Sequence, residues 1–405
     1  MLCYVVAYLD RVNVGFARLQ MLGDLGFSDT VYGFGAGMFF IGYFTFELPS
    51  NIILHRVGAR TWIARIMITW GIVSALFMFI RSPMSFYVLR FVLGVAEAGF
   101  FPGIILYLTY WFPSDRRGRM ISMFMMAIPL SGILGGPLSG WIMATFSGIG
   151  GLAGWQWLFL LEAAPAVIVG VVVLLYLDNG IRSARWLTPA EKELLERNLA
   201  EDNAHIEPHG SLGAVLADPR VALMCVIYFT IVMGQYGLTF WMPTLVQAAG
   251  ISGTLKIGLF TAIPYGAGAI AMIFFGRSAD RRRERRWHAA GSMLIGAVGM
   301  TMSAIAGTNT AVAIACLTIA STGVFSCAPL FWSLPTAFLS GAAAAAGIAA
   351  INSIGNLAGF VSPYVVGWLK DLTHSTQAGM YAVSAVLAAG AIVILVFVPA
   401  RLVNR

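Results

Sequence analysis

Twelve stretches of about 20 predominantly apolar residues follow one another along the chain, at 1–20, 30–54, 61–80, 83–112, 118–146, 155–177, 219–247, 255–276, 287–307, 309–334, 340–369 and 377–399. Each has the length that a helix needs to cross a hydrocarbon layer roughly 30 Å thick. No water reaches backbone amides at that depth, so a spanning segment must satisfy its own hydrogen bonds, as a helix does. Composition points the same way. Of the 405 residues, 59% are hydrophobic and 11% charged, against about 25% charged in a soluble domain. The 45 glycines suit packed membrane helices, where small residues let backbones approach. The chain is expected to be an all-α membrane protein with the lipid bilayer as its solvent.

The net charge of +7 is not spread at random. Lys and Arg concentrate at 55–60, 115–119, 178–218 and 281–286, after the second, fourth, sixth and eighth stretches. The intervening connectors hold only Arg18, Arg81, Lys256 and Lys370 at their edges. This is the positive-inside pattern, which orients helices and places both termini in the cytoplasm. It argues against nucleic acid as a partner. Only nine residues precede Asp10, so the first helix is read as N-terminally clipped. The Asp-Arg pair within it and the lack of a small-residue cleavage pattern argue against a signal peptide.

The one long insertion divides the chain into 1–177, a cytoplasmic linker at 178–218, and 219–405, six stretches on either side. Within the linker, Thr188 is placed to cap a helix with Pro189 at its first position and Glu191 closing a capping box. Leu194, Leu195 and Leu199 then recur on one face, as an amphipathic helix on the inner surface requires. The halves also echo each other. Asn51-x-x-x-His55-Arg56-Val57-Gly58-Ala59-Arg60 is matched 225 positions later by Gly276-x-x-x-Asp280-Arg281-Arg282-Arg283-Glu284-Arg285. Basic turns at equivalent places imply parallel repeats about an axis along the membrane normal.

Four charged residues lie where hydrocarbon is expected: Asp10 and Arg11 in the first stretch, Arg90 and Glu97 in the fourth. A charge at mid-bilayer costs about 2.5–3.5 kcal/mol on insertion scales, so such groups face one another or a wet cavity. Arg90 and Glu97 are seven residues apart, hence on one helix face and about 10 Å apart along the axis. Asp10 and Arg11 are about 100° apart around theirs, so one can face a cavity while the other faces the fourth helix. A purely structural role, locking two helices together, is the competing account, but buried ion pairs stabilise poorly. The second half offers polar groups instead: Gln235, Tyr236, Asn352, Ser353 and Asn356. Asn352 and Asn356 share a helix face, where interhelical hydrogen bonding competes with substrate contact. Tyr8 and Tyr43 are candidate hydroxyl donors. Trp241 and Phe331 are read first as core packing, with stacking on an aromatic substrate the alternative.

Cys3, Cys225, Cys316 and Cys327 lie in apolar segments without a CxxC, and read as small buried hydrophobes. His55, His205, His209, His288 and His374 all fall in predicted loops. Neither set makes a metal or nucleophile constellation in the membrane, so no cofactor and no enzyme activity are expected.

Three motifs carry a resemblance. They are Tyr8-Leu9-Asp10-Arg11-Val12-Asn13-Val14-Gly15-Phe16-Ala17, Arg90-Phe91-Val92-Leu93-Gly94-Val95-Ala96-Glu97-Ala98-Gly99-Phe100-Phe101-Pro102, and Arg185-Trp186-Leu187-Thr188-Pro189. The Trp111-Phe112-Pro113 exit with its Arg116-Arg117-Gly118-Arg119 turn adds to them. With these the whole chain resembles the major facilitator superfamily, and within it the anion:cation symporter family, whose similar members carry tartrate, phthalate, hydroxyphenylacetate and hexonates. The resemblance implies two six-helix halves rocking about a central site and a monomer taking a small organic anion and a proton. It implies an inner-membrane location. It assigns Arg11 to the substrate carboxylate, through the planar fork that Lys lacks, with Arg90 as the partner that switches between acids. Asp10 and Glu97 are then the proton-coupling candidates, because an anion that takes over their Arg leaves a carboxyl ready to accept a proton. Arg56, Arg60, Asp280 and Arg281 become a candidate cytoplasmic gate, although His55 stands where the second half has Asp280. The Gly135-Gly136-Pro137-Leu138-Ser139-Gly140 run resembles a motif linked to exchangers, which leaves antiport open, but close helix packing is the leading reading. The rival readings are an exchanger or exporter of the same anions and a non-transporting sensor of the same fold.

Overall fold

The computed structural model describes residues 1–204, 218–307, 309–335 and 341–403. Its helices are α1 (Leu2–Leu25), α2 (Asp29–Val57), α3 (Ala59–Ala75), α4 (Pro83–Glu97), α5 (Phe100–Thr109), α6 (Ser114–Met125), α7 (Ala127–Thr145) and α8 (Gly154–Tyr176). After α9 (Pro189–Ala204) come α10 (Pro219–Ala248), α11 (Thr254–Arg282), α12 (Arg286–Ile305), α13 (Thr310–Trp332), α14 (Gly341–Asn356), α15 (Ala358–Thr373), α16 (Thr376–Phe397) and the short α17 (Ala400–Val403).

Among the described residues, eleven segments are long and apolar enough to cross a membrane. The α1 helix is not among them, since Asp10, Arg11, Arg18 and Asp24 fall within its 24 residues. It is nevertheless buried along most of its length, because the helices around it, rather than lipid, receive those charges. It also runs further than the apolar stretch suggested. Gly26, at φ 66°, ends it by returning its N–H to the Leu22 carbonyl, a left-handed cap that glycine adopts without strain. Arg18, read as a connector residue, is therefore inside the bundle.

Three stretches expected as single helices are broken: α4 from α5, α6 from α7, and α14 from α15. At the first break Gly99 has φ 81°, and a Cβ there would run into Ser50 Oγ. Pro102, in the first turn beyond, has no N–H with which to continue the ladder. Glu97 is thus the last helical residue before a bend.

In the first bundle α1 packs on α7 and α8, α2 on α4, and α3 on α8; in the second α10 packs on α14, α15 and α16, and α12 on α13 and α16. The bundles meet where α2 lies along α15, α7 along α11, and α1 against α10. A Cβ on Gly136 would sit 2.8 Å from the Gly258 carbonyl, and one on Gly258 would clash with the Gly136 carbonyl. The glycine run of α7 therefore serves close backbone approach to α11.

At the linker helix, Thr188 N–H donates to Glu191 Oε2 at 2.8 Å and Glu191 N–H returns to Thr188 Oγ1 at 3.4 Å, which is the capping box expected. The Thr188 amide and hydroxyl, both donating to Glu191 Oε2, hold that carboxyl below the usual carboxylate range. The apolar stripe is weaker than expected: Leu195 and Leu199 are half-buried but Leu194 is exposed. His55 and His288, read as loop residues, fall in the terminal turns of α2 and α12. His374 follows α15, while His205 and His209 lie outside the described residues.

Candidate functional site

Arg11 projects from the middle of α1 into a cavity of about 40 Å³ between the bundles. Of the polar residues singled out in the sequence, Tyr8, Tyr43, Gln235, Tyr236, Asn352 and Asn356 line the same cavity, whereas Ser353 donates to Glu47. Tyr4, Phe39, Phe40, Phe101 and Tyr228 supply the rest of its aromatic wall. The space admits a few water molecules, so a substrate has to widen it. Trp241 and Phe331, for which core packing is the leading reading over stacking on an aromatic substrate, do not line it. Trp241 lies under Arg18 and edge-on to Tyr32, and Phe331 stacks on Tyr228.

The Arg11 guanidinium forms an ion pair with Glu97 and donates to the Tyr236 hydroxyl at 3.2 Å. Tyr8, Phe39 and Tyr43 surround it with ring centroids 4.9, 5.1 and 5.6 Å from its central carbon. Rings at that distance favour a cation and hold its plane. One Glu97 oxygen and Arg11 Nε have no partner among the described residues. The pair thus joins the two motifs, with hydrogen-bonding capacity to spare.

Asp10 turns the other way, into the first bundle. Its Oδ1 accepts from Ser74 Oγ of α3 and from Asn13 Nδ2, the latter at 3.2 Å, while Oδ2 has no partner among the described residues. Arg90 makes no ion pair among the described residues. It donates to the Ala36 carbonyl of α2 at 3.0 Å and lies over Phe39. The sequence reading made Arg90 the partner of the acids; the structure gives Glu97 to Arg11 instead. The physical reason is reach, since about 10 Å of axial separation keeps Arg90 from an acid seven residues along its own helix.

Two buried acids were missed. Glu47 of α2 accepts from Asn352 Nδ2 and Ser353 Oγ, each at 2.9 Å. Glu162 of α8 accepts from Ser139 Oγ at 2.7 Å. Both interrupt apolar runs, so the cost argument that singled out Asp10 and Glu97 applied to them equally. Arg56 and Asp280, by contrast, are exposed at the ends of α2 and α11, as is Arg281. Arg60 binds within its own bundle, to the Leu174 carbonyl at 2.5 Å and the Asn179 side chain at 2.9 Å. The four residues read as a gate make no bond between the bundles among the described residues.

The bundles are instead tied at the end away from the basic connectors. Arg18 pairs with Asp29 and donates to Thr244 Oγ1 of α10, and Lys370 Nζ of α15 reaches Asp29 Oδ2 at 3.0 Å. Asp371 of α15 accepts from the Asp29 and Thr30 amides at 3.0 and 2.7 Å. A carboxylate from one bundle therefore caps α2 of the other, at the positive end of its dipole. Asp371→Ala should raise amide exchange in the first turn of α2 by about 2- to 30-fold, the range of an N-cap loss. Unchanged exchange, read by mass spectrometry of peptides spanning that turn, would leave the cap without a role in closure.

The Major Facilitator Superfamily model matches residues 1–363. The chain belongs to the major facilitator superfamily. Among its relatives in the superfamily, a protein of Agrobacterium vitis named "Putative tartrate transporter" is 52% identical over 397 residues, 98% of this chain and 91% of that one. A Pseudomonas putida protein named "Putative metabolite transport protein NicT" is 48% identical over 404 residues, covering 100% and 92%. The fold is similar to a crystal structure of a bacterial homologue of the human lysosomal transporter Spinster, with TM-score 0.77 at 15% identity, covering 97% and 94%. This superfamily member is an integral membrane transporter rather than an enzyme.

Proposed function

We propose that the chain imports a small organic anion together with protons by alternating access. The observation that carries this reading is the Arg11–Glu97 pair, a cation suited to a carboxylate already occupied by an acid, on the wall of a cavity between two bundles. An incoming carboxylate competes with Glu97 for Arg11. Displaced from its counter-charge in a desolvated site, Glu97 takes up a proton, so anion and proton load together. Asp10, one turn from Asn13 and facing Ser74, serves as a second proton site. Tyr8, Tyr43, Tyr236, Gln235, Asn352 and Asn356 supply the remaining contacts. Two protons with a monoanion use the membrane potential, at about 2.3 kcal/mol per net charge per 100 mV.

Residues 1–177 and 219–405 are the proposed moving units, joined by the linker at 178–218. The proposed setting is the bacterial inner membrane, with both termini cytoplasmic and the protein monomeric. The end sealed by Arg18, Asp29, Lys370 and Asp371 then faces outward. The relative named for tartrate supplies the first probe. In proteoliposomes with an alkaline, negative interior, labelled tartrate should accumulate, and collapsing the proton gradient should stop accumulation. Uptake indifferent to the gradient would turn the reading to exchange, and ligand binding without flux would turn it to a sensor.

A further inference from the structure

Glu47 sits ten residues before the end of α2 and is 6% exposed. Both of its carboxylate oxygens are engaged by the other bundle, Oε1 by Asn352 Nδ2 and Oε2 by Ser353 Oγ, each at 2.9 Å. Among the described residues it makes no ion pair, so two neutral donors at consecutive positions of α14 hold it. Asn352 has a second role, because it also lines the cavity into which Arg11 projects.

These two contacts constrain the chemistry of the cavity wall. A side-chain amide is two-faced, offering donors on nitrogen and an acceptor on oxygen, whereas an ionised carboxylate accepts only. Facing Glu47, the amide of Asn352 must present its nitrogen. Its carbonyl oxygen is then left as a hydrogen-bond acceptor for the cavity that Arg11 also lines. A carboxylate cannot use that acceptor. A hydroxyl can, and a methylene in its place leaves the carbonyl without a partner.

We propose that Glu47 is a positioning residue that sets the Asn352 amide and so selects, among carboxylates held by Arg11, those bearing a hydroxyl. The proposal rests on the reading of the cavity as an organic-anion site. It assigns discrimination to a residue that need not touch the substrate. It also explains why a buried acid without a cation sits across the interface: its partners are chosen for orientation rather than charge.

Two measurements test it. The first needs no substrate. Thermal unfolding of Glu47→Ala, Asn352→Ala and the double variant should show shifts that are less than additive, because each single change breaks the same bond. Additive shifts overturn the proposal whatever transport shows. The second compares tartrate with succinate, which have the same carbon chain and two carboxylates but differ in two hydroxyls. In proteoliposomes the native protein should prefer tartrate by about 10-fold or more in KM, the scale of one unsatisfied buried polar group. Glu47→Gln, whose own amide lets Asn352 turn over, should bring the two KM values within about threefold while Vmax for tartrate stays within a fewfold. An equal rise in both KM values, with their ratio kept, indicates a structural role and overturns the proposal. Failure of both acids to compete in the native protein, with the coupling in unfolding intact, overturns the organic-anion reading and the selectivity role with it.

Discussion

Arg11→Lys should raise KM for tartrate by at least about 30-fold, corresponding to the ~2 kcal/mol lower end for disrupting a buried hydrogen-bonded charge pair. The charge is preserved, so the loss reports on the fork. A guanidinium presents parallel N–H groups that match the two oxygens of a carboxylate, whereas an ammonium meets them as a point. Here the plane is also held by Tyr8, Phe39 and Tyr43, and a lysine in the same cage lacks a flat face to stack. Binding should be measured calorimetrically on purified protein beside uptake, with thermal unfolding as the control for folding. Affinity within threefold of the native protein would remove Arg11 from the carboxylate.

Glu97→Gln should separate proton-driven accumulation from exchange. Glutamine cannot carry the proton, and it no longer competes with an anion for Arg11. Because Glu97 is the acid that the anion displaces, its loss uncouples the Asp10 proton as well, and a monoanion moving without protons comes to equilibrium about 50-fold lower inside at 100 mV, from about 2.3 kcal/mol per charge. Net accumulation should therefore disappear. Exchange between preloaded pools moves no net charge and should persist within about fivefold, since no charge crosses the potential. Loss of both activities in a folded protein would make Glu97 a binding or packing residue. Retention of gradient-driven accumulation would move the proton to Asp10 or to another acid.

The repeated apolar lengths were legible because the bilayer imposes one thickness on every span. The basic connectors were legible for a related reason, since they are counted rather than placed. The capping box at Thr188 and Glu191 was legible because it needs only local spacing. Pairing was not. Whether Glu97 meets Arg11 or Arg90 depends on how α1 and α4 lie against each other, which no spacing within either helix contains. The extent of α1 was hidden by its own charges, which made Arg18 look like the end of a span. Glu47 and Glu162 were readable in principle, but each stands alone in its stretch, without the acidic and basic neighbours that drew attention to α1 and α4.

The carboxylate that Asp371 sets on the first amides of α2 has a consequence for speed. In the proposed alternating-access cycle this end opens on every turn, so a seal made of deep apolar contact would slow it. Helix-terminal amides are different, because water can take the place of the departing cap as soon as the ends part. The bonds lost in opening are largely replaced by hydration, leaving a modest net difference. Closure is then specific in geometry yet shallow in free energy, and high salt would favour the open side by screening the charges that remain.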